Sequence, residues 1–326
     1  MPVRTVLAWA TLLLMAVTAG AEEPRWPDRP LTWIVPFSAG GATDVMARDI
    51  ADKVSRQLNQ QIVIENIGGA GGTIGATKAA RAPADGYTFL VGHLGYMAAA
   101  PALYHPLGYD PVKDFDAVFR FPDTPMVLLV NSSSRYQTVA ELVSAAKEHP
   151  GAINFANAGV GSTSHLVEEL FASRAGVKFT PVAYKGIPPA VLDLMGGTVD
   201  AVFDQTNTAL GNVAGHRLKA IAITAKSPMP QYPDAKPLSE QGFPGFDAAT
   251  WYGLYAPKGT PKVARQALYD AFVRAMADPQ WRQAMSDRGI RLLPEPQYSP
   301  AALADHTAAE VEKWRKVIAD ANIRVN

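Results

Sequence analysis

The 326-residue chain contains no cysteine, which excludes a disulfide framework and any Cys-ligated zinc or iron–sulfur centre. A charge imbalance is missing too. Thirty Lys and Arg offset thirty Asp and Glu, no block of like charge interrupts the chain, and a basic nucleic-acid-binding surface is thereby excluded. Charged residues amount to only 18%, against a usual ~25%, a shortfall that suits helices packed on both faces of buried sheets. The six histidines are scattered, with no H-E-x-x-H and no zinc spacing, and G-x-S-x-G is absent. Ser164 and His165 are sequence neighbours, a spacing that does not by itself make a nucleophile–base hydrogen bond. No metal, no cofactor and no catalytic residue is expected.

The N-terminus carries Arg4, an apolar run over 6–17 and Ala19-Gly20-Ala21, which together read as a signal peptide over 1–21 cleaved after Ala21. That run is shorter than the ~20 residues needed to cross a bilayer, and no later stretch is long and uncharged enough to do so. An exported, periplasmic protein is expected. About 300 residues then remain, near the size at which a single core stops growing, so two lobes are favoured over one.

Strand-like and helical stretches alternate through most of the chain, the pattern of βαβ units and parallel sheets. Strands are predicted at 31–35, 62–65, 87–91, 126–130, 153–156, 179–183, 201–203, 220–224 and 252–256. Helices are predicted at 44–58, 75–81, 139–148, 164–175 and 190–195, and after Pro261 the chain turns helical over 262–276, 280–288 and 300–321. The fold class is therefore α/β, with two lobes, central sheets and a C-terminal helical block. Because that block has no sheet of its own, it is expected to pack back on the first lobe. The lobes are then 22–123 plus 251–326 and 124–250, joined by crossovers near 121–126 and 246–252.

Ligands of open α/β sheets bind beyond the carboxyl ends of strands, and three glycine turns occupy such places. The first contains Phe37, Ser38, Gly40, Gly41, Ala42, Thr43 and Asp44. Free N–H groups where its helix begins make an anion seat, with Thr43 or Asp44 available as a cap. The second, 66–75, is richer in glycine than a turn needs, so something must approach Gly71 and Gly72; it matches neither G-x-G-x-x-G nor a P-loop. The third runs from Asn157 through Ala158, Gly161, Ser162, Thr163 and Ser164 to His165. It reads either as a second anion seat or as simple capping. None of the three turns holds Arg or Lys, so an acid would be gripped by backbone dipoles and hydroxyls in a water-excluding cleft.

Three further strand ends add candidates. Lys185 is either a mobile cation at the cleft or a solvated surface residue. Asp204 either accepts from a ligand hydroxyl, amine or water, or caps a turn. His93, Tyr96 and Met97 follow a strand, where Tyr96 and Met97 line an apolar pocket wall or pack in the core.

In this order, the segments 27–31, 34–44, 63–75, 101–104, 109–115, 184–186, 194–200 and 256–261 resemble the solute receptors of the tripartite tricarboxylate transporter system, the Bug family. The resemblance covers the mature chain. It implies a periplasmic-binding-protein-like, Venus-flytrap fold, with a small carboxylate bound by backbone amides, hydroxyls and water. It also implies delivery, by a monomer, to the membrane components of such a transporter. The Ser38 to Asp44 turn would be the main seat, faced by the Gly159 to His165 turn and Asp204. Phe37 stands where the family often has tyrosine, and Ile187-Pro188-Pro189 where it more often has glycines. The same fold serving a membrane sensor is an alternative output, and a periplasmic hydrolase a weaker one.

Overall fold

The computed structural model describes residues 26–320 and 323–324; the expected signal peptide lies outside them. The chain opens with β1 (Leu31–Val35), α1 (Ala42–Leu58), β2 (Ile62–Asn66), α2 (Thr73–Ala80) and β3 (Thr88–His93). A π-turn over 95–99 then leads into the short α3 (Ala100–Leu103) and β4 (Phe115–Arg120). Next come β5 (Thr124–Asn131), α4 (Val139–Glu148), β6 (Asn154–Asn157), α5 (Thr163–Ala175) and β7 (Thr180–Ala183). They are followed by α6 (Ile187–Met195), β8 (Ala201–Gln205), α7 (Thr206–Ala214), β9 (Leu218–Ile223) and β10 (Ala249–Thr250). The chain closes with β11 (Tyr252–Pro257), α8 (Lys262–Met276), α9 (Pro279–Asp287) and α10 (Pro300–Asp320).

Two sheets result, one ordered β2-β1-β3-β11-β4 and the other β10-β5-β8-β6-β7, with β9 also on β5. Parallel pairing of β1 with β2 and β3, and of β6 with β7 and β8, follows from the helices that cover their crossovers. The parallel pairing read from the βαβ pattern is joined by antiparallel strands: β11 runs antiparallel to β3 and β4, and β5 antiparallel to β8 and β9. Both β5 and β11 start just after the chain passes from one sheet to the other, and each enters from the cleft side, opposite in sense to the strands whose carboxyl ends face that cleft. β4 escaped prediction because Asp116 and Arg120 interrupt its apolar run, and α7 because Thr206, Asn207, Thr208 and Gly211 are weak helix formers.

Each sheet carries a core on both faces. Trp33, Phe89, Phe119 and Phe272 are fully buried in the first lobe, where Phe119 and Phe272 stack at 4.0 Å and fix α8 on the sheet. Phe155, Phe171 and Phe203 fill the second. Each such burial stabilises by about 1.5–3 kcal/mol. α10 returns to the first lobe as well, its Trp314 and the crossover residue Trp251 both donating to Glu310 Oε2, at 3.0 and 3.2 Å.

Candidate functional site

The carboxyl ends of β1, β3, β6 and β8 converge on one cavity between the lobes. Its first-lobe wall is Phe37, Ser38, Gly41, Ala42, Thr43 and His93; its second-lobe wall includes Met126, Ala158, Ser162, Thr163, Ser164, Gly186, Ile187, Asp204 and Gln205. The volume is only ≈ 40 Å³, room for a few water-sized groups. The lobes are shut on it. Tyr104 donates to the Val160 carbonyl at 2.6 Å, Thr206 Oγ1 to the Gly289 carbonyl at 2.8 Å, and Tyr252 to Gln205 Oε1.

α1 supplies the donors expected of the first turn. Its N-cap, Gly41, offers no side chain, so the expected cap by Thr43 or Asp44 is not made. The first-turn N–H groups therefore have no capping acceptor and lie at the cavity wall, where the helix dipole favours an anion. Asp44 turns away. Its Oδ2 accepts from Gly40 N–H and Arg48 Nε, both at 2.9 Å, and its Oδ1 from Asn66 at 2.9 Å. Burial raises its pKa, but these bonds and the Arg48 charge outweigh that, so the carboxyl stays below its usual range. Asp44 and Gly40 thus shape the loop from behind the cavity.

Ser38 points inward, and its buried Oγ has no hydrogen-bond partner among the described residues. Opposite it stands Gly186, at φ 119°, where any Cβ would both strain the backbone and collide with Ser38 Oγ.

On the second lobe, α5 is capped by its own residues. Ser162 Oγ accepts from His165 N–H at 3.4 Å and lies 3.0 Å from Ser164 Oγ, which accepts from Ala158 N–H at 2.8 Å. His165 Nδ1 accepts from Gly161 N–H at 3.2 Å, and burial lowers its pKa to about 4. His165 and Gly161 therefore hold the turn and do not line the cavity. Thr163 does reach it, 3.1 Å from His93 Nε2. Burial lowers the His93 pKa to about 3, so the ring is neutral, and because its Nδ1 accepts from Gly95 N–H at 3.0 Å the proton sits on Nε2.

Asp204 is 1% exposed, and burial raises its pKa to about 6 despite bonds to Oδ1 from Thr208 Oγ1 at 2.8 Å and Gln205 N–H at 2.6 Å. Its Oδ2 accepts no hydrogen bond among the described residues.

Other sequence candidates sit elsewhere. Gly71, Gly72 and Lys185 line an adjoining cleft of ≈ 270 Å³ behind Phe37. The Val160 carbonyl across the cleft crowds Gly71, and the Tyr96 ring fills the space beside Gly72. The approach that the glycines were expected to admit is made by the protein itself. Tyr96 is core, donating to the Val91 carbonyl. Met126, Gly186, Ile187 and Gln205 were missed. Gln205 follows Asp204, and strand alternation assigns neighbours to opposite faces, but β8 ends here and both side chains reach the cavity. Pro188 and Pro189, in the first turn of α6, have no N–H, so that helix start offers few donors.

Among the described residues no group of His, Asp or Glu could hold a metal, and no helix is long and apolar enough to cross a membrane.

The family model of the tripartite tricarboxylate transporter family receptor matches residues 46–323. A Pseudomonas protein encoded in the tcbD-tcbE intergenic region is 37% identical, over 99% of this chain and 96% of its own. The periplasmic binding protein BugD has a structure similar at TM-score 0.87 and 36% identity, covering 92% of this chain and 99% of that one. MatC of Rhodopseudomonas palustris, with bound malate, is similar at TM-score 0.86 and 37% identity, covering 90% and 100%. The matched family is one of receptors, and BugD is a binding protein and not an enzyme. A two-lobed fold closed on a cavity of backbone and hydroxyl donors, and a family match over most of its length, place this chain among the Bug-type solute-binding receptors of the tripartite tricarboxylate transporter family.

Proposed function

We propose that the protein captures a small organic carboxylate, a di- or tricarboxylate or an aromatic acid, between its closing lobes. It then delivers that acid to the membrane components of a tripartite tricarboxylate-type transporter. It acts in the periplasm as an exported monomer whose residues 1–21 are removed. The lobes are taken as 22–123 plus 251–326 and 124–250.

The observation that carries this is the uncapped start of α1 beside the Ser38 hydroxyl, which has no partner among the described residues, in a cavity with no Lys or Arg on its wall. Backbone N–H groups and hydroxyls are the donors a carboxylate needs, and exclusion of water strengthens them. A closed lobe pair offers the ligand both walls at once, and only that difference in affinity between open and closed forms lets a ligand drive closure. The malate bound by MatC supports a carboxylate. The small cavity favours short aliphatic acids.

A thermal-shift screen of carboxylic acids against the purified protein tests capture, because a ligand that binds only the native state raises the melting temperature. Loss of uptake of that acid on gene deletion tests delivery. Retained uptake, with co-purification of a sensor ectodomain, would replace transport by signalling.

A further inference from the structure

One wall of the cavity pairs an acceptor with a donor. Asp204, at the end of β8 and 1% exposed, lines it, and its Oδ2 accepts no hydrogen bond among the described residues. Gln205 lies beside it, 7% exposed. Tyr252, fully buried on β11, donates to Gln205 Oε1, which fixes the flip of the carboxamide and leaves its N–H₂ as the group available to the cavity. Thr43, in the first turn of α1, lines the same cavity. The start of α1 and the Gln205 amide thus border one small space of ≈ 40 Å³.

We infer that the ligand carries a hydroxyl next to its carboxylate, with the carboxylate on the α1 N-terminus and Ser38, and the hydroxyl between Asp204 Oδ2, which accepts its proton, and Gln205 Nε2, which donates to its oxygen. This deepens the carboxylate-capture proposal and rests on it. A hydroxyl is the small group that both donates and accepts. An ammonium only donates, and leaves the Gln205 N–H₂ unpaired. A second carboxylate only accepts, and is repelled by Asp204. A methylene leaves both protein groups desolvated without partners, the circumstance in which a site built for a hydroxyl discriminates most strongly. Tyr252 acts as a positioning residue, since it touches Gln205 and not the ligand.

The test is calorimetric titration of the purified protein with matched acids: glycolate against acetate, lactate against propionate, malate against succinate, and malate against aspartate. The expected result is that in at least one hydroxy/deoxy pair the hydroxy acid binds about tenfold tighter or more, and that malate binds tighter than aspartate. Gln205→Met should bring the hydroxy/deoxy ratio close to one while the melting temperature shows the variant folded. Tyr252→Phe should reduce the ratio without removing binding, because the amide is then free to flip. Equal affinities within every pair, tighter aspartate, or binding confined to acids without a hydroxyl such as benzoate, would overturn the inference and leave carboxylate capture standing. If no acid of any kind binds, capture itself fails.

Discussion

His93, at the end of β3 in one lobe, and Thr163, at the first turn of α5 in the other, meet 3.1 Å apart across the cleft. Because His93 Nδ1 is occupied by Gly95 N–H, the imidazole donates and Thr163 Oγ1 accepts. The Thr163 proton is then left to donate into the cavity. One threonine therefore joins the two lobes and presents a donor to the cavity between them.

Thr163→Val should weaken acid binding roughly tenfold or more, since it removes an inter-lobe hydrogen bond and leaves the His93 Nε2–H buried without an acceptor, together about 1–3 kcal/mol. Thr163→Ser retains the hydroxyl and should stay close to wild type. Calorimetric affinity and the ligand-dependent radius of gyration check both. An unaltered affinity in the valine variant would mean that this contact plays no part in closure.

Gly41→Leu should abolish binding with little effect on folding. The backbone there, at φ −75°, accepts any residue, and a Cβ would meet Ser38 O at 3.3 Å and Pro188 Cδ of the opposite lobe at 3.9 Å. A longer side chain must then run into α6 and hold the lobes apart, while covering the α1 donors. A melting temperature near wild type with no ligand-induced rise is the expected pair of results; a normal ligand response would remove the α1 seat from consideration.

The glycine turns made the position of the cavity legible in the sequence, because Gly41 and the Ser162 to Ser164 run each stand between a strand and a helix. Which donors remain free was not legible. It depends on whether hydroxyls are consumed locally, as at Ser162 and Ser164, or left over, as at Ser38, and only tertiary packing decides that. Similarly, the glycines at 71 and 72 announced close approach, but not that Val160 and Tyr96 were what approached. Gln205 carried no signal, since its role depends on Tyr252, which lies 47 residues away in sequence.

Ser38→Ala should separate stability from function. Its buried Oγ lacks a partner among the described residues, a condition that costs about 1–3 kcal/mol. Removing it should leave the unliganded protein as stable as wild type or slightly more so, and weaken acid binding by about tenfold. Melting curves with and without ligand measure both. A parallel loss of stability and affinity would instead mark Ser38 as structural.

Asp204→Asn should stabilise the unliganded protein at neutral pH, with a sign that can be worked out. Burial raises the Asp204 pKa from 3.8 to about 6, so the folded state holds a proton more tightly than the unfolded one. The resulting penalty is absent below 3.8, grows as pH rises through that window, and is complete above 6. Two pKa units correspond to about 3 kcal/mol at most, or several degrees in melting temperature for a chain of this size. Asparagine keeps the Oδ1 acceptor and loses the charge. The melting-temperature difference between variant and wild type should therefore be largest above pH 6 and vanish below 3.8. Comparing the two proteins isolates this group from His93, His165 and His306, whose depressed pKa values act with the opposite sign. A difference independent of pH would show that the carboxylate is not desolvated in the folded state, and that the cavity wall it lines is open to water.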